Sequence, residues 1–142
     1  MATVFTKIIE REFPGRFVWR DEQAVAFLSI NPLTTGHVLV VPVAEVDHWI
    51  DLPAGVWSHL NDVVRAVGQA VQRAFDPNRV GTVIAGFEVP HVHVHVFPSD
   101  EMADFDFRNA ATDPDPDEMD AAAARIRQAL VDLGHEAHVS ET

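Results

Sequence analysis

His91-Val92-His93-Val94-His95-Val96-Phe97-Pro98 is the stretch on which the reading of this chain turns. In a strand, successive side chains point to opposite faces, so His91, His93 and His95 share one side and Val92, Val94 and Val96 the other. The valines belong to a core. Three aligned imidazoles are an unusual way to build stability, because each has a donor and an acceptor nitrogen and titrates near neutral pH. Scattered solvated histidines would not keep strict alternation closed by Phe97-Pro98.

Two chemistries suit such a row. Zinc takes nitrogen ligands at ~2.0–2.1 Å in a roughly tetrahedral arrangement. The outer pair, His91 and His95, is ~13 Å apart along a strand, so a metal reading uses two of the three with a distant ligand such as His37 or Glu88. The other chemistry uses the histidines in sequence at phosphorus. A neutral imidazole is a competent nucleophile, and covalent catalysis divides one hard displacement into two easier ones. A neighbouring imidazole can then assist the leaving group and hold the non-bridging oxygens. This second use employs all three side chains without forcing them together, and it predicts phosphate-ester or phosphoramidate chemistry.

Upstream, the turn Asn31-Pro32-Leu33-Thr34-Thr35-Gly36 leads into His37-Val38-Leu39-Val40-Val41-Pro42, a β-branched run that reads as a buried central strand. Short apolar runs at Phe5–Ile9, Arg16–Arg20 and Ala24–Ser29 precede it, each a strand or helical turn. From Trp57 to Phe75 the apolar residues recur at helical spacing, and Asp76-Pro77 should end that helix. Val80–Ile84 reads as another strand. Downstream, Ser99–Glu118 is acidic and reads as a linker. An Asp-Pro start signal then opens an amphipathic helix through Met119, Ile126 and Leu130, closed by Gly134. The last residues, 135–142, read as an edge strand or an unstructured tail. The order predicts an α+β domain: an antiparallel sheet of about five strands, one long helix and an appended C-terminal helix.

The 142 residues suit one domain, and with no cysteine there is neither a disulfide nor a thiolate site. A net charge of −12 argues against a nucleic-acid partner. No apolar run approaches a membrane span, and residues 1–10 do not read as a signal peptide, so a cytoplasmic protein is expected. Gly81 and Gly86 make no phosphate loop, and Ser29, Ser58 and Ser99 lack a nucleophile-elbow context.

Residues 91–97 match the signature His-φ-His-φ-His-φ-φ (φ hydrophobic) of the histidine triad (HIT) superfamily, and the chain resembles that superfamily over roughly residues 4–107. Residues 5–14 look like the nucleoside phosphoramidase branch, whereas residues 41–52 and the acidic run after Pro98 look more like the dinucleoside polyphosphate hydrolases. The resemblance implies a HIT domain over residues 1–108, with residues 109–142 an acidic linker, helix and tail packed on it. It implies His93 as the nucleophile that forms a nucleotidyl-histidine intermediate, and His95 beside the transferred phosphate and leaving group. His91 would fix the triad, with His37 packed alongside. The base would enter a pocket of Val4, Phe5, Ile8, Phe13 and Phe27. The ribose would meet Ser29, where the family often has Asp or Asn. Phosphate would approach the backbone at Glu88 and Val89, in a loop shorter than is usual. The resemblance further implies a small nucleotide as substrate, no cofactor or metal, and a homodimer formed through the long helix and a neighbouring strand. Because Ile84, Phe87 and Glu88 stand where the family has polar phosphate-binding side chains, a nucleotide-binding module with little catalysis is the competing class. A metal-dependent phosphohydrolase is a third.

Overall fold

A computed structural model describes residues 2–142; Met1, the first residue of the N-terminal stretch and of the domain read from sequence, lies outside them. Five strands form one antiparallel sheet in the order β1-β2-β3-β5-β4. They are β1 (Phe17–Arg20), β2 (Ala24–Leu28), β3 (Val38–Pro42), β4 (Arg79–Val83) and β5 (Val94–Ser99). Three helices accompany them: α1 (Val4–Ile9), α2 (Ala54–Phe75) and α3 (Pro116–Asp132). This is the α+β architecture expected. Among the described residues no helix is long and apolar enough to cross a membrane.

The central strands carry β-branched and aromatic residues on both faces, so both faces are buried. Val18, Ala26, Val40, Val94 and Val96 point to one side and pack against Leu60, Val63, Val67 and Val71 of α2 and Ala122, Ile126 and Leu130 of α3. Phe17, Phe27 and Leu39 point to the other, where they meet Phe5 and Ile9 of α1. α2 ends where Asp76 takes a left-handed conformation (φ 47°) ahead of Pro77, a conformation that Asp tolerates better than most residues. α3 starts as its sequence signals: Asp115 accepts from the Asp117 N–H and Pro116 occupies the first turn. Gly134 follows the helix at φ 94°.

Two expectations are corrected. The histidine run is not one strand. β5 begins only at Val94, and residues 91–93 approach it as extended chain, tied by the Val92 N–H to the Val46 carbonyl (2.8 Å). Alternation still holds, because it needs only extended backbone. Nor is Ser99–Glu118 a bare linker. Two 3₁₀ turns, Met102–Phe105 and Phe107–Asn109, fold it back onto the sheet. Its carboxylates cap these turns, with Asp104 accepting from the Asp100 N–H (2.8 Å) and Asp106 from the Arg108 N–H (3.0 Å). Phe105 docks edge-on against Phe97 at 4.9 Å. The acidity that suggested solvation serves backbone capping. The tail is also placed: Val139 bridges to Trp19, and His138 stacks on that indole at 4.9 Å.

Candidate active site

The register of the sheet lays a row across four strands on the α1 side. Phe17 pairs with Phe27, Phe27 with Leu39 and Leu39 with His95. Phe27, Leu39 and His95 of this row form the floor of a cleft of about 780 Å³, a size that suits a small-molecule ligand. Val4, Phe5 and Ile8 of α1 form one wall. His37, His93 and His95 lie at one end, and Arg16 and Asp120 line the cleft as well, joined by a 2.7 Å ion pair. At ~4.8 Å per strand this floor spans ~10 Å from β2 to β5.

The imidazoles are wired by hydrogen bonds that define their tautomers. The Leu33 N–H donates to His37 Nδ1 (2.9 Å), so the His37 proton sits on Nε2 and is donated to His95 Nδ1 (2.9 Å). His95 therefore carries its own proton on Nε2. His93 Nδ1–H donates to the His91 carbonyl (2.7 Å), so the neutral ring has its lone pair on Nε2. Among the described residues every side-chain nitrogen or oxygen shut off from solvent has a partner. Among the described residues His93 Nε2 and His95 Nε2 have none, so both open into the cleft. Phe5 meets the His93 ring edge-on at 4.9 Å and holds it against the wall.

Burial sets the charge state. It pushes His37 down to about 3, with His95 and His93 adding like-charge repulsion. Burial likewise pushes His95 down to about 4, with His93 the second cause, and lowers His91. At neutral pH His37, His91 and His95 are neutral imidazoles, and His95 offers a hydrogen-bond donor rather than a charge.

Gly36 prepares this arrangement. It sits at φ 100°, and a Cβ there would lie 2.5 Å from the Phe75 ring, so a larger residue would strain the turn that delivers His37 and push that ring aside.

Of the residues singled out from sequence, Val4, Phe5, Ile8, Phe27, Ser29, Glu88, Val89, His37, His93 and His95 line the cleft. Ser29 Oγ accepts from the Asn31 N–H at 3.3 Å. His91 lies behind the cleft, fully buried. Phe13 is a correction: it is 44% exposed, does not line the cleft, and has the Lys7 ammonium 5.3 Å from its ring centre. The chain reverses after α1 with Arg11 in a left-handed conformation (φ 66°), which carries Phe13 away from the wall.

Sequence reasoning missed the segment 107–112. Phe107 contacts the His95 ring edge-on at 4.9 Å, and Arg108 lines the cleft with its guanidinium bidentate on Asp106. That guanidinium holds the Asp106 carboxyl down to about 2. A signal was present, since Arg108 is the only lysine or arginine between Arg79 and Arg125. Asp120 of α3 and Arg16, the residue just before β1, were also missed.

The sequence profile of the HIT domain matches residues 10–102. The chain belongs to the HIT family. It is 38% identical over 100 residues to an uncharacterised HIT-like protein of Methanocaldococcus jannaschii, a match covering 67% of this chain and 77% of that one. It is 37% identical over 101 residues to the asymmetrical bis(5'-nucleosyl)-tetraphosphatase of Schizosaccharomyces pombe, covering 66% of this chain and 55% of that enzyme. A zinc-bound histidine triad family protein from Mycobacterium smegmatis shares the fold, with a TM-score of 0.78 over 94% of this chain and 96% of that one at 24% identity. The family includes hydrolases, that tetraphosphatase among them.

Proposed function

We propose that this chain is a nucleotide hydrolase or transferase acting on phosphoramidates, nucleotidyl adducts or dinucleoside polyphosphates through a covalent nucleotidyl-histidine at His93. The observation that carries the reading is the tautomer of His93: its Nδ1–H is given to the His91 carbonyl, so the Nε2 lone pair faces the cleft. Nε2 would attack phosphorus as the bond to the leaving amine or phosphate breaks, and the departing group would take up a proton from solvent. The imidazolium formed at His93 keeps its Nδ1–H on the carbonyl. His95 Nε2–H would donate to a phosphoryl oxygen or to the leaving atom. Water would then attack phosphorus as the P–N bond breaks, the bond pair returning to Nε2 and the water's surplus proton passing to solvent, which releases the nucleotide.

The rest of the cleft supports a nucleotide. Apolar Phe5, Ile8 and Phe27 offer faces for a base, Ser29 a hydroxyl beside the ribose, and Arg108 a cation for phosphate. Glu88 also lines the cleft, at the rim. A metal-centred reading lacks this support: both nitrogens of His37 and of His91 are engaged in hydrogen bonds, and among the described residues no group of three His, Asp or Glu is arranged to hold an ion. A homodimer through α2 and β4 is part of the proposal, since β4 ends the sheet with one edge unpaired; sedimentation equilibrium at micromolar concentration tests it.

The deciding experiment is turnover of an adenosine 5'-phosphoramidate reporter by the wild type and by His93→Gly, with acid-quenched protein examined by mass spectrometry for a nucleotidyl adduct. Wild-type rates in His93→Gly would overturn the nucleophile assignment. Nucleotide binding by calorimetry without turnover would favour a binding module.

A further inference from the structure

The wall helix α1 is fastened to the triad by side chains that the mechanism above does not use. His91 Nε2 lies 2.8 Å from the Pro42 carbonyl oxygen, so that nitrogen bears the proton and donates it to β3. Nδ1 of the same ring is then a lone pair inside a fully buried side chain, and it needs a donor. Thr3 Oγ1 stands 2.7 Å away. The directions of the surrounding bonds are settled by chemistry. Glu45 Oε1 can only accept, and it receives the Thr3 N–H and the Thr6 hydroxyl, each at 2.7 Å. Thr3 Oγ1 accepts the Thr6 N–H at 3.1 Å as the cap of α1. The Thr3 hydroxyl hydrogen therefore chooses between His91 Nδ1 at 2.7 Å and Thr6 Oγ1 at 3.3 Å, and the shorter contact takes it.

We infer that Thr3, held by Glu45, is a positioning residue for the nucleophile and acts through His91. Its hydroxyl fixes the Nε2–H tautomer of His91, which pins residue 91 to β3 at Pro42. The backbone carbonyl of that same residue is the acceptor that orients His93. Without the hydroxyl, His91 either keeps an unmet lone pair at Nδ1 or moves its proton there and sets its Nε2 lone pair against the Pro42 carbonyl. Both outcomes loosen the peptide that aims His93. A group that orients a nucleophile from behind acts on rate more than on affinity. The inference rests on the reading of His93 as nucleophile.

A competing route runs through the wall itself, because Phe5 of α1 touches His93. Thr6→Val separates the two, since it removes one bond from α1 to Glu45 and leaves Thr3 facing His91. The test uses the full chain as Thr3→Val, Thr3→Ser and Thr6→Val. Long-range ¹H–¹⁵N spectra of the imidazoles read the His91 tautomer, and kcat and KM are measured with the phosphoramidate reporter. Wild type and Thr3→Ser should show His91 as a single Nε2–H tautomer. Thr3→Val should lose it and lower kcat about tenfold with KM within about twofold. Thr6→Val should keep the tautomer and kcat within about twofold. An unchanged tautomer in Thr3→Val, or an equal fall of kcat in Thr6→Val, overturns the inference. Should Thr3→Val fail to fold, Glu45→Gln at its exposed position is expected to mix the His91 tautomers and lower kcat about threefold, and wild-type behaviour there is equally fatal. If the wild type turns over neither the reporter nor a dinucleoside polyphosphate, the proposed function fails, while the spectra still decide whether Thr3 sets the tautomer.

Discussion

The two sides of the segment 91–96 are buried to a similar degree and organised on opposite principles. On the helix side, Val92, Val94 and Val96 sit among aliphatic residues of α2 and α3, where contact is non-directional and spread over many partners. On the cleft side, His91, His93 and His95 are as inaccessible as most core residues, at 0%, 5% and 7% exposure. There each ring is held by one or two hydrogen bonds whose direction fixes its proton. The first side resists perturbation by volume and the second by wiring. Damage to the first should therefore be read as lost stability, and damage to the second as lost chemistry.

The largest effect expected from breaking this contrast is His93→Gly, which should reduce kcat by about a thousandfold or more while moving the melting temperature by only a few degrees. A melting loss of tens of degrees would show that the histidine side is structural. Next, Ile126→Ala on the fully buried face of α3 should cost about 2–5 kcal/mol in urea unfolding, with kcat/KM of the folded protein unchanged.

Acid should sharpen the comparison from the cleft side. Because burial holds His37 at about 3, His95 at about 4 and His91 below its ordinary value, the unfolded chain takes up these protons first as pH falls. Stability is fully present above about pH 6.5 and is lost as pH drops from there toward 3, at about 1.4 kcal/mol per unit for each proton so discriminated. Urea midpoints that stay flat from pH 6.5 to 4.5 would contradict this. Arg108→Ala should raise KM for a nucleotide substrate about tenfold with a smaller change in kcat. The smallest effect belongs to Phe13→Ala, expected to shift stability by less than about 0.5 kcal/mol and KM by less than about twofold. A large rise in KM would return Phe13 to the base pocket.

Much of this was legible in the sequence. The period-two alternation at 91–96 needs only extended backbone, so it placed the valines in the core even where the ladder had not begun. The helical spacing of Leu60, Val63, Val67 and Val71, together with Asp76-Pro77, set α2 and its end. Asp115-Pro116 set the start of α3. These are local signals, written in residues a few positions apart.

What only the tertiary structure decided are long-range pairings. Which imidazole nitrogen carries a proton depends on Leu33, Pro42 and Thr3, up to 88 residues away from the ring that they serve. That Phe107 and Arg108 reach the cleft depends on an acidic run folding back, with its carboxylates turned to capping. That Phe13 does not reach it is a matter of where the chain runs after α1, with Arg11 left-handed two residues before. The sequence by itself determined the row of histidines and an antiparallel sheet of about five strands, because periodicity and spacing are properties of the chain, and its motif at 91–97 carried the resemblance to the family. The protonation pattern and the far side of the cleft came from packing, because a hydrogen-bond partner is chosen by position in space and not by order along the backbone.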